Sequence, residues 1–338
     1  MLLFCNKTLR SVLLVATVFV VIWICIGQHF CQSQPPNVLK TSWEFYKHQF
    51  MENDERVKSE TFGGTISEGQ SYALLKAVWM DDPMVFEKTW QWTNTHLTRP
   101  HDHLFAWRWG QISDPNTATD ADEDIAYALL LASEKWNRPD YRQAALGIIQ
   151  DLWRLDVIYL HGRYYLLPGT WDEFRKDYLT LDPSYFAPYV YRKFAQYDSH
   201  DWQKLAEDIY PTLEACSDLR ADKLPPNWCG VTWNTGKIIF SDKQGPQSRD
   251  FGYDAVRVFW RMALDSKNGS IPAKQYLATH PVLVQPPVEF TLAAAVAQNH
   301  QQFYLQKLQS AYNSQGYWFN DHNDYLQSVI WFSFYTRL

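Results

Sequence analysis

Clusters of lysine and arginine are missing from this chain of 338 residues, and 31 Lys+Arg against 37 Asp+Glu leave a net charge of −6. That balance excludes nucleic acid as the main partner, which would call for a basic patch or stripe. Cysteine is scarce: five scattered residues are too few for a disulfide scaffold and show no paired-cysteine zinc spacing. A chain of this length buries a large core without such staples. There is no nucleophile elbow, no phosphate-cradling glycine loop and no His-Glu-x-x-His pair, so those three chemistries are set aside. No Gly/Ser linker or charge run splits the segment after residue 39, which favours one domain there. What is abundant is aromatic: 19 Phe, 16 Trp and 20 Tyr. With 46% hydrophobic and 20% charged residues the chain is globular rather than disordered.

One long apolar run stands apart from this pattern. Ser11 to Gly27 carries no charge and follows Lys7 and Arg10. A run of about 17 residues is just enough to span a bilayer. Positive charge on its N-terminal side predicts the N-terminus inside and the remainder exported. The expected organisation is a cytoplasmic stub (1–10), a transmembrane signal anchor (11–27), a linker (28–38) and a globular domain (39–338). A cleavable signal peptide is the rival reading, which would make the protein secreted, although no convincing small-x-small site follows Gly27. Cys5 and Cys25 belong to this region, and Cys31 lacks a lipobox-like context. Cys216 and Cys229 either bridge outside the cytoplasm or remain two half-buried thiols; the sequence does not choose.

Beyond the linker, apolar residues recur at i, i+3, i+4, i+7, as at Ile125, Ala128, Leu129 and Ala132. Twelve helical stretches follow: 39–51, 68–79, 83–96, 122–136, 139–153, 183–194, 202–216, 253–264, 272–280, 287–298, 301–312 and 324–336. Asp82-Pro83, Arg138-Pro139 and Asp182-Pro183 are helix-start signals. Only 163–167 and 231–240 look strand-like, as hairpins on loops. Roughly 300 residues shared by twelve helices give about 25 residues per helix and loop. Even spacing without a sequence repeat disfavours a solenoid. A closed ring of helical hairpins would bury the helices and leave loops at one end for a site.

Three acidic clusters are candidates for that site. Glu68, in Ser67-Glu68-Gly69-Gln70-Ser71-Tyr72 after Gly63-Gly64, opens a helix; alone it reads as an ordinary N-terminal acid. Asp120, Asp122, Glu123 and Asp124 crowd a second helix start. They are no calcium loop, because Ile125 stands where glycine is needed and Leu131 cannot ligate. Capping needs only one acid, most naturally Asp120 or Asp122, so the surplus points to a site. Asp254 lies three residues before Arg257, on one helix face, where the cation would keep it ionised; a surface ion pair is the commoner meaning of that spacing. His101-Asp102-His103 looks like a short metal cluster, but a loop pair fits better. Trp107 and Trp109 are core by default, yet beside Phe105 and Arg108 they suit stacking on sugars. Aromatic surplus, spare carboxylates and no cofactor motif point to carbohydrate.

These residues resemble one family. The run from Ala118 through Thr119, Asp120, Ala121, Asp122, Ile125, Ala126, Ala128, Leu129, Leu130 and Ala132 to Trp136 is similar to the signature of glycoside hydrolase family 8. The Ser67–Tyr72 segment resembles the family's acid motif, and Tyr253-Asp254-Ala255-Val256-Arg257 its base motif. Ala106-Trp107-x-Trp109-Gly110, Leu166-Leu167-Pro168-Gly169, Pro183-Ser184-Tyr185, Pro287-Val288-x-Phe290 and the Tyr325 helix extend the match from about residue 40 to the C-terminus. Within the family the chain looks most like the endoglucanases that accompany bacterial cellulose synthesis.

The resemblance implies an all-α (α/α)6 barrel, a toroid of six helical hairpins, behind the single transmembrane helix. It also implies an inverting endo-β-1,4-glucanase without metal or organic cofactor. Carried over, Glu68 is the general acid, Asp254 the general base, and Asp120 the residue that binds and distorts the sugar before the scissile bond. Trp107, Tyr185, Tyr253 and Arg257 are the expected substrate contacts, with core packing as the alternative for the three aromatics. The expected partners are a β-linked polysaccharide, the membrane through the anchor, and a polysaccharide synthase complex. The rival readings are a catalytically silent glycan-binding subunit of such a synthase, or a hydrolase of xylan, chitosan or mixed-linkage glucan.

Overall fold

The computed structural model describes residues 35–59, 61–298 and 302–337. The stub, the apolar run and all but the last part of the linker therefore lie outside the described residues. Among these there are twelve α-helices: α1 (Pro35–Phe50), α2 (Ser67–Trp79), α3 (Pro83–His96), α4 (Thr119–Trp136), α5 (Pro139–Asp156), α6 (Pro188–Phe194), α7 (Trp202–Ser217), α8 (Arg257–Lys267), α9 (Ile271–Thr279), α10 (Val288–Ala297), α11 (Gln302–Ser310) and α12 (Asp324–Tyr335). The periodicity places all twelve. Four expected starts shift by three residues or more: the first moves from 39 to Pro35, the fourth from 122 to Thr119, the stretch from 183 begins with a short 3-10 turn (Pro183–Tyr185) and turns α-helical only at Pro188, and the stretch from 253 begins at Arg257. Asp182 starts the short turn as its N-cap, accepting from the Ser184 amide at 2.8 Å.

The even-numbered helices form a closed inner ring: α2 packs on α4, α4 on α6, α6 on α8, α8 on α10, α10 on α12, and α12 returns to α2. Each odd-numbered helix packs outside an even-numbered one, α1 on α12 and then α3 on α2 onward. An inner helix has neighbours on both sides, so α10 (VEFTLAAAVA) has no polar face and is buried from Phe290 to Ala297. Five tryptophans, Trp43, Trp202, Trp260, Trp318 and Trp331, are fully buried in the packing between rings.

The two ends of this barrel differ. At one end inner helices turn back into outer ones through short turns such as 80–82, 137–138 and 268–270. At the other end long loops (51–66, 97–118, 157–187, 218–256) carry every strand. The expected hairpins appear as β3 (Val157–Leu160) with β4 (Arg163–Leu166), and β6 (Cys229–Thr232) with β7 (Ile238–Phe240). β5 (Tyr178–Leu181) adds to β6. β1 (Gly64–Ile66) pairs antiparallel with β2 (Arg108–Gly110). That pair requires Gly64, because a Cβ there would sit 2.2 Å from the Trp109 carbonyl oxygen. It ties the entry to α2 to the loop that carries Trp107. Cys216, closing α7, and Cys229, opening β6, are joined by a disulfide, which decides the question the sequence left open.

Candidate active site

All six inner helices start at the long-loop end, so their N-termini converge there. A cavity of about 590 Å³ opens between them, and Glu68, Asp120, Tyr185, Asp254, Arg257 and Tyr325 line it, all in or just before those first turns. Each helix start contributes partial positive charge from unpaired amides. Carboxylates gathered at this point are therefore met by a favourable field.

The four acids that open α4 point in different directions, because successive helical residues rotate by about 100°. Asp120 faces the cavity. Asp122 turns away and accepts from the Phe105 amide at 2.9 Å. Glu123 accepts from the Tyr191 hydroxyl at 3.0 Å, and Asp124 holds Arg261 through two bonds of 3.1 and 2.8 Å. None of the four caps the helix: its N-cap is Ala118, with no side-chain bond, contrary to the expectation for Asp120 or Asp122. Arg261 also stands 3.3 Å from Glu123, so one buried cation relieves the crowding of Glu123 and Asp124 together.

Arg257 is the hub of the cavity floor and is only 2% exposed. One terminal nitrogen of its guanidinium donates to Glu68 and, at 2.8 Å, to Asp120; the other donates to Asp254 at 3.1 Å and stands 3.9 Å from Asp182. Its flat faces meet the rings of Tyr185 at 5.2 Å and Tyr325 at 5.7 Å. The planar fork of arginine suits such multipoint contact. Asp254 also accepts from the indole N–H of Trp228 at 3.3 Å. Its loop is pinned by Asn227, whose side-chain oxygen accepts from the Gly252 and Ala255 amides at 3.1 and 3.0 Å.

These surroundings push the carboxyls apart in acidity. Burial raises Glu68 well above its ordinary value; Arg257 opposes this, while the charges of Asp120 and Asp254 and a hydrogen bond with Asp120 add to it. The fall expected from its place at a helix start is thus overcome. Asp254 is raised less, by burial and Asp120, against Arg257 and the Trp228 N–H, and its side chain keeps 37% exposure to the cavity. Asp182 is raised well above the usual range, by burial first and then by Asp254. Burial disfavours the charge on Arg257, yet Tyr325, Glu68 and the other neighbours hold it protonated. Two carboxyls facing a single cavity, one holding its proton more strongly than the other, can give and take a proton on either side of a bound molecule.

The chain matches the family model described as glycosyl hydrolases family 8 over residues 15–277. The chain belongs to that family. It is 33% identical to an endoglucanase of Cellulomonas uda over 258 residues, 73% of this chain and 70% of that protein. Among solved structures it is similar to endoglucanase Cel10, a family 8 glycosyl hydrolase from Klebsiella pneumoniae. That match has a TM-score of 0.70 at 26% identity and covers 88% of this chain and 100% of that one. A β-1,3-1,4-glucanase from Paenibacillus sp. X4 shares the fold, with a TM-score of 0.76 at 21% identity over 90% and 91% of the two chains. This family 8 protein is accordingly a glycoside hydrolase, and its closed double ring of helices is the family's (α/α)6 barrel.

In this family 8 chain the structure brings all seven expected site residues to one cavity. Trp107 meets Phe62 edge-on at 5.5 Å at the cavity lip, and Tyr253 is 54% exposed there, resting on Phe290 at 4.8 Å. Neither packs as a core residue. Trp109 instead packs against Trp92 and His96, away from the cavity lining. The histidine cluster disperses: His103 pairs with Asp151 at 2.6 Å and Asp102 with Arg99 at 3.1 Å. Four contributors were not among the expected site residues, although the Tyr325 helix was part of the resemblance. Asp182 and Tyr325 reach Arg257, Trp228 reaches Asp254, and Asn227 holds the Asp254 loop. Asp182-Pro183 carried a turn signal, and Trp228 follows a Pro-Pro pair, but neither pattern specifies a carboxylate partner.

Proposed function

We propose that this protein is an inverting endo-β-1,4-glucanase in which Glu68 is the general acid and Asp254 the general base. The observation that carries this reading is the pair of carboxyls on opposite nitrogens of Arg257, with Glu68 raised further than Asp254. Glu68 gives its proton to the glycosidic oxygen as the bond from that oxygen to the anomeric carbon breaks. Asp254 takes a proton from a water whose oxygen bonds to the same carbon from the opposite face. Such a pair must stand roughly 6.5–9.5 Å apart to admit the water, and an interposed guanidinium serves as a spacer. Asp120, hydrogen-bonded to Glu68, would bind and help distort the sugar before the scissile bond. Trp107, Tyr185 and Tyr253 offer ring faces to flanking sugars, and Arg257 offers charge.

We also infer that the chain is held in the membrane by residues 11–27, N-terminus inside, with the barrel exported. The disulfide between Cys216 and Cys229 supports an oxidising compartment. An anchored endoglucanase is placed to trim β-glucan as a membrane synthase extrudes it, in keeping with the resemblance to endoglucanases of cellulose synthesis.

The test is reducing-end release by the segment from residue 35 on soluble cellulose, mixed-linkage glucan, xylan and chitosan. Cleavage of the soluble cellulose, lost in Glu68→Gln with binding retained, is expected. Preference for xylan or chitosan would change the substrate class. Silence on all four by a folded protein would favour the glycan-binding synthase subunit.

A further inference from the structure

The chain enters the barrel at the end opposite the cavity. Outer helices run against inner ones, so α1 begins at the short-turn end. Leu39, in its first turns, accepts through its carbonyl from the Trp331 indole near the end of α12, at 3.1 Å. Further along α1, Trp43 donates at 3.1 Å to Asp82, in the turn that closes α2. Residues 28–34 are all that separate the apolar run from α1, and seven extended residues reach about 25 Å at most.

That end has an uneven surface. Met84, Ile271 and Phe303 lie in the first turns of α3, α9 and α11 and are 71%, 66% and 55% exposed. Outer helices start at this end, so these apolar tips surround the entry of α1. The sector built from α8 to α11 is also one-sided in charge. Between Asp265 and Asp321 the sequence holds a single carboxylate, Glu289, against Lys267 and Lys274 at this end and Lys307 in the last turn of α11. Glu289 starts α10, at the opposite end. A hollow of about 450 Å³ opens here between the ends of α8, α10 and α12, with Lys267, Lys274 and Arg337 on its wall.

We propose that the short-turn end of the barrel rests on the surface of the bilayer that holds the chain's own N-terminal run, a surface containing anionic lipid, so that the catalytic cavity faces away from the membrane. Apolar tips enter the headgroup layer while the lysines meet lipid phosphates. The short connection leaves the barrel little freedom to turn over. Long glucan chains then reach the cavity without crossing the headgroup region. This inference rests on the anchor reading, and not on which residues perform the hydrolysis.

The experiment uses the full chain in detergent and in nanodiscs of phosphatidylcholine with phosphatidylglycerol, labelled by a water-soluble amine reagent and read lysine by lysine by mass spectrometry. Lys267 and Lys274 should lose labelling several-fold in the nanodiscs, while Lys176 and Lys237, on the long-loop end, keep theirs. The double variant Ile271→Glu, Phe303→Glu should recover labelling of Lys274 in nanodiscs with unchanged hydrolysis of a soluble glucan. Equal labelling of all four lysines in a chain retained by the nanodiscs would overturn the proposal and leave the anchor standing. A chain that nanodiscs do not retain would overturn both, and glucan hydrolysis, measured separately, would be untouched by either result.

Discussion

Arg257 donates to Asp120 at 2.8 Å across 137 positions of sequence, with both side chains closed to solvent. One helical turn deeper, Arg261 and Asp124 repeat the pairing between the same two helices. α8 and α4 are both inner-ring helices, joined through α6, so the two ion pairs also fasten the ring below the cavity. A buried pair of this kind adds little over a well-packed apolar pair, but breaking it by removing one partner strands a charge.

Removing the hub should therefore damage both stability and catalysis. Arg257→Met is expected to lower unfolding free energy by about 3–5 kcal/mol and kcat/KM by roughly 10²–10³. Arg257→Lys should recover part of the stability but little of the rate, since one ammonium cannot hold Glu68, Asp120 and Asp254 at once. Chemical denaturation alongside steady-state kinetics checks both. A kcat within twofold of the parent in Arg257→Lys would refute the role of the fork.

The pH profile should be a bell whose acid limb reports Asp254 and whose alkaline limb reports Glu68. The proposed mechanism needs Asp254 ionised and Glu68 protonated, so activity should be lost below the first and above the second. The Asp120 charge raises both groups. In Asp120→Asn both limbs should then move to lower pH, with kcat reduced roughly 10²-fold by the misplaced sugar. A profile that only drops, without moving, would show that Asp120 does not set these acidities.

Asp156 closes α5 with its side chain fully buried and is pushed up to about 7, first by burial, against Arg175 and a 3.1 Å bond from the Thr119 hydroxyl. Its folded value exceeds its unfolded one, so the folded state binds the extra proton between about pH 4 and 7. Stability from this group is full below that window and declines as pH rises through it, by an amount on the order of 4 kcal/mol. Asp156→Asn should flatten that slope. Urea unfolding of both proteins from pH 4 to 8 measures the difference, which should grow in favour of the variant with rising pH.

The Cys216–Cys229 bridge fastens the last turn of α7 to β6, just past Trp228 and Asn227. Loss of the cross-link in Cys216→Ser should cost about 3 kcal/mol, as expected for a closed loop of this size. Because Trp228 and Asn227 hold Asp254, the acid limb of the pH profile should move as well. A melting temperature indifferent to reducing agent would argue against the bridge in solution.

Sequence alone determined the helices and supplied the candidates for the proposed reacting groups. Apolar periodicity and proline signals act within a few residues, so all twelve helices were readable, and the family motifs named Glu68, Asp120 and Asp254. The strands β1, β2 and β5 went unread because, unlike the local hairpins, they pair with partners more than forty positions away. Only the closed ring decided what Arg257 does: the sequence gives it one near neighbour, Asp254, whereas Glu68 lies 189 positions away and Asp120 137. The tertiary fold likewise brought Asp182 and Tyr325 to Arg257 and Trp228 to Asp254, and it turned four adjacent acids in different directions. Those pairings depend on where inner helices meet, and burial at that meeting point is what separates the acidities of Glu68 and Asp254.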